Sequence, residues 1–286
     1  MDIRRPVARA FYPGDCEKQM RSFIRDFDPP SVPYVIPGAV VPHAGWIYSG
    51  RVAAKTWASI ATSTTPETVV ILGSVHHYYY PYTVAIWPKG IWETPVGDFT
   101  VDCDLAADIL KSLGDTVQVN YSAHENEHSI EVQLAMVKLL FPDSRFVPIA
   151  VPPSETACEF GSKLGEYLHS IDKPVTVVAT TDLTHYGPAY GMTPAGIGPK
   201  AERWMEENDH RMIDLIERLE CTEIVPEAES RQNACGAGAV AAVVGSALAK
   251  GATRGELIEY TTSHRELSDG SSFSMAVGYA GIILKK

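Results

Sequence analysis

The sequence predicts an α/β fold: a single domain in which a mixed, mostly parallel sheet lies between helices. Two observations carry this. Strand-like and helix-like segments alternate along the 286 residues, the pattern of βα units. The strand-like runs, such as TVVILG (68–73) and PVTVVAT (174–180), are nearly continuous in β-branched and apolar residues. That is expected of strands covered on both faces.

The elements follow in order. An N-terminal helix precedes the Pro-rich connection DPPSVPYVIPG (28–38), which punctuates the chain and is too short to link domains. GAVV (38–41) is the first core strand, followed by a helical stretch over 50–61. TVVILG is the second strand and TVAIW (83–87) the third; DCDLAADILKSLG (102–114) has helical spacing and ends on Gly114, a C-cap residue type. A helix is expected over 128–141, then the strand RFVPIAV (145–151), a helix over 154–169 and the strand PVTVVAT. An amphipathic helix near 199–219, an Ala/Gly helix, and the strands LIEYTT (257–262) and FSMAVGYAGIIL (273–284) complete the chain. There is no internal repeat, low-complexity segment or linker, so one domain is expected over 1–286.

Composition excludes several classes. With 45% apolar and 21% charged residues the chain is globular, and long enough to fold without a disulfide or structural metal. A net charge of −11 argues against nucleic-acid backbone binding, which needs clustered Lys and Arg, and against adhesion to anionic membranes. The opening MDIRRPVARAFYPGD has no apolar stretch behind its arginines, so a secretory signal is not expected. The uncharged run from Gln232 to Ala249 is too weakly hydrophobic to span a bilayer and reads as a buried helix. Five scattered cysteines without a C-x-x-C (Cys16, Cys103, Cys158, Cys221, Cys235) fit a reducing cytoplasm.

The chemistry-bearing residues gather at strand ends. GAVV leads to PHAGWIYSG, TVVILG to SVHHYYY, and TVVAT to TDLTHYG. Three strands thus place His43, His76 or His77, and His185 beyond their carboxyl ends, the rim where open α/β sheets bind ligands. Imidazole is both the commonest metal ligand and an acid–base group at neutral pH. In HENEHSIEVQL (124–134), Glu127 and His128 are expected to open a helix, with Glu131 on their face; this is equally the ordinary charge of a helix N-terminus. In RQNACGAGAV (231–240), Cys235 is expected to start a helix capped by Asn233, where a thiol is more readily ionised to a metal-binding thiolate; read from these residues alone, a buried and inert Cys in a small-residue helix is the favoured alternative. The adjacent glycines allow close backbone approach. The G-x-G-x-x-A over 236–241 follows no strand and is not a dinucleotide fingerprint. No P-loop or G-x-S-x-G occurs.

Together AFYPGD, PHAGWIYSG, LGSVHH, ETPVGDF, NEHSIEVQL, TDLTHYG, NACG and DGSSFSMAVGYA resemble, in order and over nearly the whole chain, the Memo family. The resemblance implies the fold of class III extradiol ring-cleavage dioxygenases. It maps the family's metal ligands onto His43, His76 and Cys235 and two further pocket residues onto Asp182 and His185, with Glu127 and His128 in a family motif. LGSVHH has Val75 where the family often has Ser, so a hydroxyl contact is missing there. The ring-cleaving enzymes use two His and a carboxylate for Fe(II); a Cys in third place departs from that set, and the fold alone does not deliver the activity.

The expected protein therefore holds Fe(II) or copper, with zinc as the alternative, on His43, His76 and Cys235. His185 would serve as acid–base group oriented by Asp182, with His128 and Glu127 completing the catalytic group. Tyr48, Trp46 and Trp92 would line the substrate side. The competing readings are a non-enzymatic module taking a peptide or small ligand in the same cleft, and a zinc hydrolase. The family association adds radical-SAM and AMMECR-type proteins as partners.

Overall fold

A computed structural model describes residues 2–30, 35–267 and 271–286. Residues 31–34 of the Pro-rich connection and Asp269 and Gly270 of the closing motif lie outside the described residues. Among the described residues the main sheet runs in the order His185–Tyr186, Ala276–Lys285, Gly38–Val41, Val175–Thr180, Thr68–Gly73, Arg145–Ala150, Ala85–Ile86 and Gln118–Val119, with Arg254–Thr262 added against Ala276–Lys285. The four central strands are mutually parallel. Antiparallel pairs flank them: Ala276–Lys285 on Gly38–Val41, and Ala85–Ile86 on Arg145–Ala150. The sheet is thus mixed with a parallel centre.

Every residue of Thr68–Gly73 is buried, and the two-residue side-chain period divides that strand between two cores. Val70 and Leu72 face the helices Cys103–Leu113, Ala157–Ser170, Pro199–Glu217 and Ala237–Ala249. Val69 and Ile71 face Cys16–Ile24, Trp46–Ser63 and Glu131–Leu140. A small separate sheet joins Ile3–Arg4, Ile91–Trp92 and Phe99–Thr100. Gly114 ends its helix at φ +55°, as its sequence position predicts.

The uncharged Ala/Gly helix is buried because it crosses Ala157–Ser170 at backbone contact. A Cβ added at Gly161 would collide with Ala242, and one at Gly165 with Ser246. Small residues here serve close packing. Among the described residues no helix is long and apolar enough to cross a membrane.

Two expectations are corrected, and one helix is added. The helix Cys221–Arg231 lies where no element is expected, in a largely charged segment interrupted by Pro226; it buries Cys221, Ile224, Val225 and Ala228. Cys158 and Cys221 are joined in a disulfide; they lie 63 residues apart, and the fold brings the starts of two helices together. The expected helix over 128–141 begins only at Glu131, because Glu127 is turned to other partners, described below.

One buried acid predicts a pH dependence. Asp209 accepts the Thr184 N–H and the Tyr260 hydroxyl, each at 2.8 Å. Burial, outweighing those hydrogen bonds, pushes its carboxyl up to about 7. Because the folded value exceeds the unfolded one, the native state holds a proton that the unfolded chain has lost. This group's contribution is complete below about pH 4 and lost as pH rises through about 7, by at most about 4 kcal/mol. Asp209→Asn is expected to flatten stability between pH 5 and 8, measured by urea unfolding at each pH. An unchanged slope would assign the effect elsewhere.

Candidate metal centre

Three neighbouring parallel strands deliver the site. Gly38–Val41 leads through Pro42 to His43, Thr68–Gly73 leads to His76, and Val175–Thr180 leads to Asp182 and His185. Val175–Thr180 pairs with both of the others, so all these ends share one rim. His128 approaches from the loop between the helices Ser122–Glu125 and Glu131–Leu140. Cys235 stands in the turn before the helix Ala237–Ala249, whose N-cap is Gly236. Asn233 is therefore not the cap; its side-chain amide donates to the Asn208 carbonyl at 2.8 Å. A Cβ at Gly236 would strike the Thr180 carbonyl and the Ser74 hydroxyl. Glycine lets the Cys235 turn lie directly on the strand ends.

The ligand atoms offered by His43, His76 and His128 all lie within 4.8 Å of one another. His76 and His128 stack with centroids 4.8 Å apart, and the His43 ring stands edge-on to them at 5.1 and 5.5 Å. Cys235 Sγ is 3.2 Å from His43 Nε2, and Cys235 also acts electrostatically on His76. The sulfur further accepts the Asp182 N–H at 3.3 Å. Three imidazoles and a thiol therefore converge.

Their protonation is divided. Burial, then the neighbouring His76 and His128, hold His43 well below the usual histidine range. Burial, with His76, lowers His128 despite the opposing Glu127. Both are neutral at pH 7, with lone pairs to offer. For His76 burial also opposes the charge, but interactions with Cys235 and Glu127 prevail and raise it to about 10. An ion bound to His76 must displace that proton. Metal affinity is thus expected to fall about tenfold per unit as pH drops below about 10, measured by metal titration at pH 6, 7 and 8. A flat profile would show that His76 is not a ligand.

His185 lies within electrostatic reach of this cluster. Burial, then the His76 charge, lowers it, and it lowers His43 in turn. With Tyr190, Met192, Gln232 and Cys235 it lines a cavity of about 340 Å³. Asp182 does not orient it as expected. That carboxylate accepts the His43 N–H at 2.8 Å and stands 4.0 Å from His43 Nε2, and burial raises it to about 7. His77 is exposed and takes no part in the cluster.

Trp46 and Trp92 are core residues and not substrate lining. Each is 1% exposed; Trp46 donates to the Val132 carbonyl at 3.3 Å, and Trp92 packs under the Arg4 guanidinium at 4.1 Å. Tyr48 does line a cavity of about 440 Å³, with Tyr190 and Tyr279. Glu131 does not face the site. It pairs with Arg4 at 2.7 Å and accepts the Val7 and Ala8 N–H groups at 2.9 Å.

HENEH (124–128) also has the H-E-x-x-H spacing, which the sequence reading overlooks. In zinc enzymes that spacing works because both histidines share one helical face. Here the helix ends at Glu125. His124 is buried with Nε2 on the Ala85 carbonyl at 3.1 Å, and only His128 reaches the cluster.

The sequence profile described as Memo-like protein matches residues 4–283. The chain belongs to the Memo family. Among its relatives, a MEMO1 family protein of Methanopyrus kandleri is 35% identical over 98% of each chain. One from Thermococcus onnurineus is 37% identical over 99% of this chain and all of that one. Among solved structures, the uncharacterized protein JW3007 of Escherichia coli K12 superposes with a TM-score of 0.48 at 12% identity, covering 87% of this chain and 99% of that one.

Proposed function

We propose that this Memo protein binds iron or copper through His43, His76, His128 and Cys235 and uses it for redox or oxygen chemistry on a small organic ligand. The convergence of three imidazoles within 4.8 Å, with Cys235 Sγ against His43, carries this reading. Imidazole with a soft thiolate suits iron and copper. When bound, the metal would supply electron transfer and activation of dioxygen. The carboxylates are already engaged: Glu127 by four N–H groups and Asp182 by the His43 backbone. That engagement favours Cys235 over Glu127 as the ligand that completes the set.

The chain's own groups fit supporting tasks. His185, neutral at pH 7 by burial, can take or return a proton at the cavity it lines. Tyr48, Tyr190 and Tyr279 can orient a ligand on the adjoining side. The ligand is a small molecule or a peptide segment, and the family association nominates radical-SAM and AMMECR-type proteins as partners. Cys235 is a free cysteine and can offer its sulfur as a thiolate.

Zinc is the second reading, favoured by one observation: three imidazoles with an open position are also a catalytic zinc set. Anaerobic reconstitution with Fe(II), Cu(I) or Zn(II), followed by oxygen uptake with catechols and thiols, separates the two. Uptake by the iron or copper form supports the proposal. No uptake by either, with ester hydrolysis by the zinc form, would replace it.

A further inference from the structure

The strongest unassigned feature of this cleft is the carboxylate of Glu127. Glu127 is 3% exposed, yet one carboxylate serves two chain segments 51 residues apart. Oε2 accepts the His76 backbone N–H at 2.8 Å. Oε1 accepts the backbone N–H groups of His128 and Ser129, each at 2.9 Å. His76 Nδ1 lies 2.9 and 3.1 Å from the two oxygens.

A carboxylate that takes three backbone N–H groups is an acceptor throughout, because ionised oxygens have no proton to give. The fourth partner, His76 Nδ1, must then be the donor. With Nδ1 holding a proton toward Glu127, Nε2 is the nitrogen left for a metal. The same carboxylate pins the backbone of His128, which explains why the helix starts only at Glu131. An imidazole whose outer nitrogen donates to a carboxylate has its ring angle fixed and its ligating nitrogen made more basic.

We infer that Glu127 is a positioning residue and not an acid–base catalyst: it fixes His76 in the orientation that presents Nε2 and holds the His128 loop against it. This inference rests on the metal-site reading above. It goes beyond that reading by removing Glu127 from the group that would touch substrate.

The test uses the full chain loaded with Zn(II), which is diamagnetic and needs no oxygen chemistry. Glu127→Gln keeps the shape but turns one acceptor into an amide donor facing the N–H groups of His76. Zn(II) affinity, measured by competition with a chromophoric chelator, is expected to fall 10- to 100-fold, while circular dichroism stays that of wild type. In zinc-loaded, 15N-histidine-labelled wild type, His76 is expected to carry its proton on Nδ1 in a slowly exchanging hydrogen bond, with Nε2 on the metal. In the variant that signal is lost. A purely structural role would lower the melting temperature and leave both readouts unchanged.

A folded Glu127→Gln with wild-type affinity would overturn the inference. Should the variant not fold, the wild-type spectrum decides alone, because ligation of His76 through Nδ1 overturns it equally. Absence of zinc binding by wild type would sink the metal-site reading itself, whereas binding that is lost in His43→Ala but unaltered in Glu127→Gln would sink only the positioning role.

Discussion

Glu131→Ala is expected to destabilise the fold by about 3–5 kcal/mol, the cost of leaving a buried charge without its partner. Glu131 is fully buried and Arg4 is 4% exposed. The guanidinium meets Glu131 at 2.7 Å, donates to the carbonyls of His124 and Glu127, and lies over Trp92. Removing the carboxylate strands Arg4 and orphans the Val7 and Ala8 N–H groups. The effect reaches the metal cleft, since Arg4 holds the carbonyl of the residue that positions His76 and His128. Urea denaturation measures it, and a loss below about 1 kcal/mol, the range of exposed pairs, would contradict this account. The double substitution Arg4→Met with Glu131→Leu is expected to recover part of the loss, because both charges then leave the core together.

The second large effect is on metal binding. A four-ligand zinc site contributes about 10–16 kcal/mol at pH 7, so one ligand's share is about 3 kcal/mol, or roughly a hundredfold in affinity. His43→Ala is expected to weaken Zn(II) binding by at least that factor. His43 is 1% exposed, held neutral by burial, and fixed at its backbone by Asp182, so little must be rearranged for it to ligate. The substitution also leaves a cavity, and a small loss of thermal stability is expected with it. Equal affinity in wild type and variant, by chelator competition, would place the ion elsewhere.

Much of this was legible before any coordinates. Runs such as TVVILG show buried parallel strands because nothing polar interrupts them, and a strand's carboxyl end points to one rim whatever its length. That is why His43, His76 or His77, and His185 could be set on one rim from strand ends, whereas Cys235 joined the set only through the resemblance to the Memo family. The sequence failed where a partner lies far along the chain. Glu127 and Glu131 look alike in NEHSIEVQL, yet Glu127 organises the cleft and Glu131 anchors the N-terminal segment through Arg4. Only the tertiary contacts divide them. His128 is expected in the catalytic group and not among the ligands for the same reason, since its approach to His43 depends on a loop that local spacing reads as helix. Trp46 and Trp92 lie next to motif residues but turn into the core, a choice of rotamer and packing that spacing does not encode. The Cys158–Cys221 pair was hidden because it depends on how two helix starts meet.

X-ray absorption at the zinc edge of protein reconstituted with one Zn(II) per chain tests the central claim most directly. The account predicts a four-coordinate shell in which imidazole nitrogens lie at about 2.0–2.1 Å and one sulfur at about 2.3 Å, the sulfur disappearing in Cys235→Ser while the imidazole signature stays. A six-coordinate shell of oxygens, unchanged in His43→Ala and Cys235→Ser, would place the ion on the acidic surface and contradict a metal centre in this cleft.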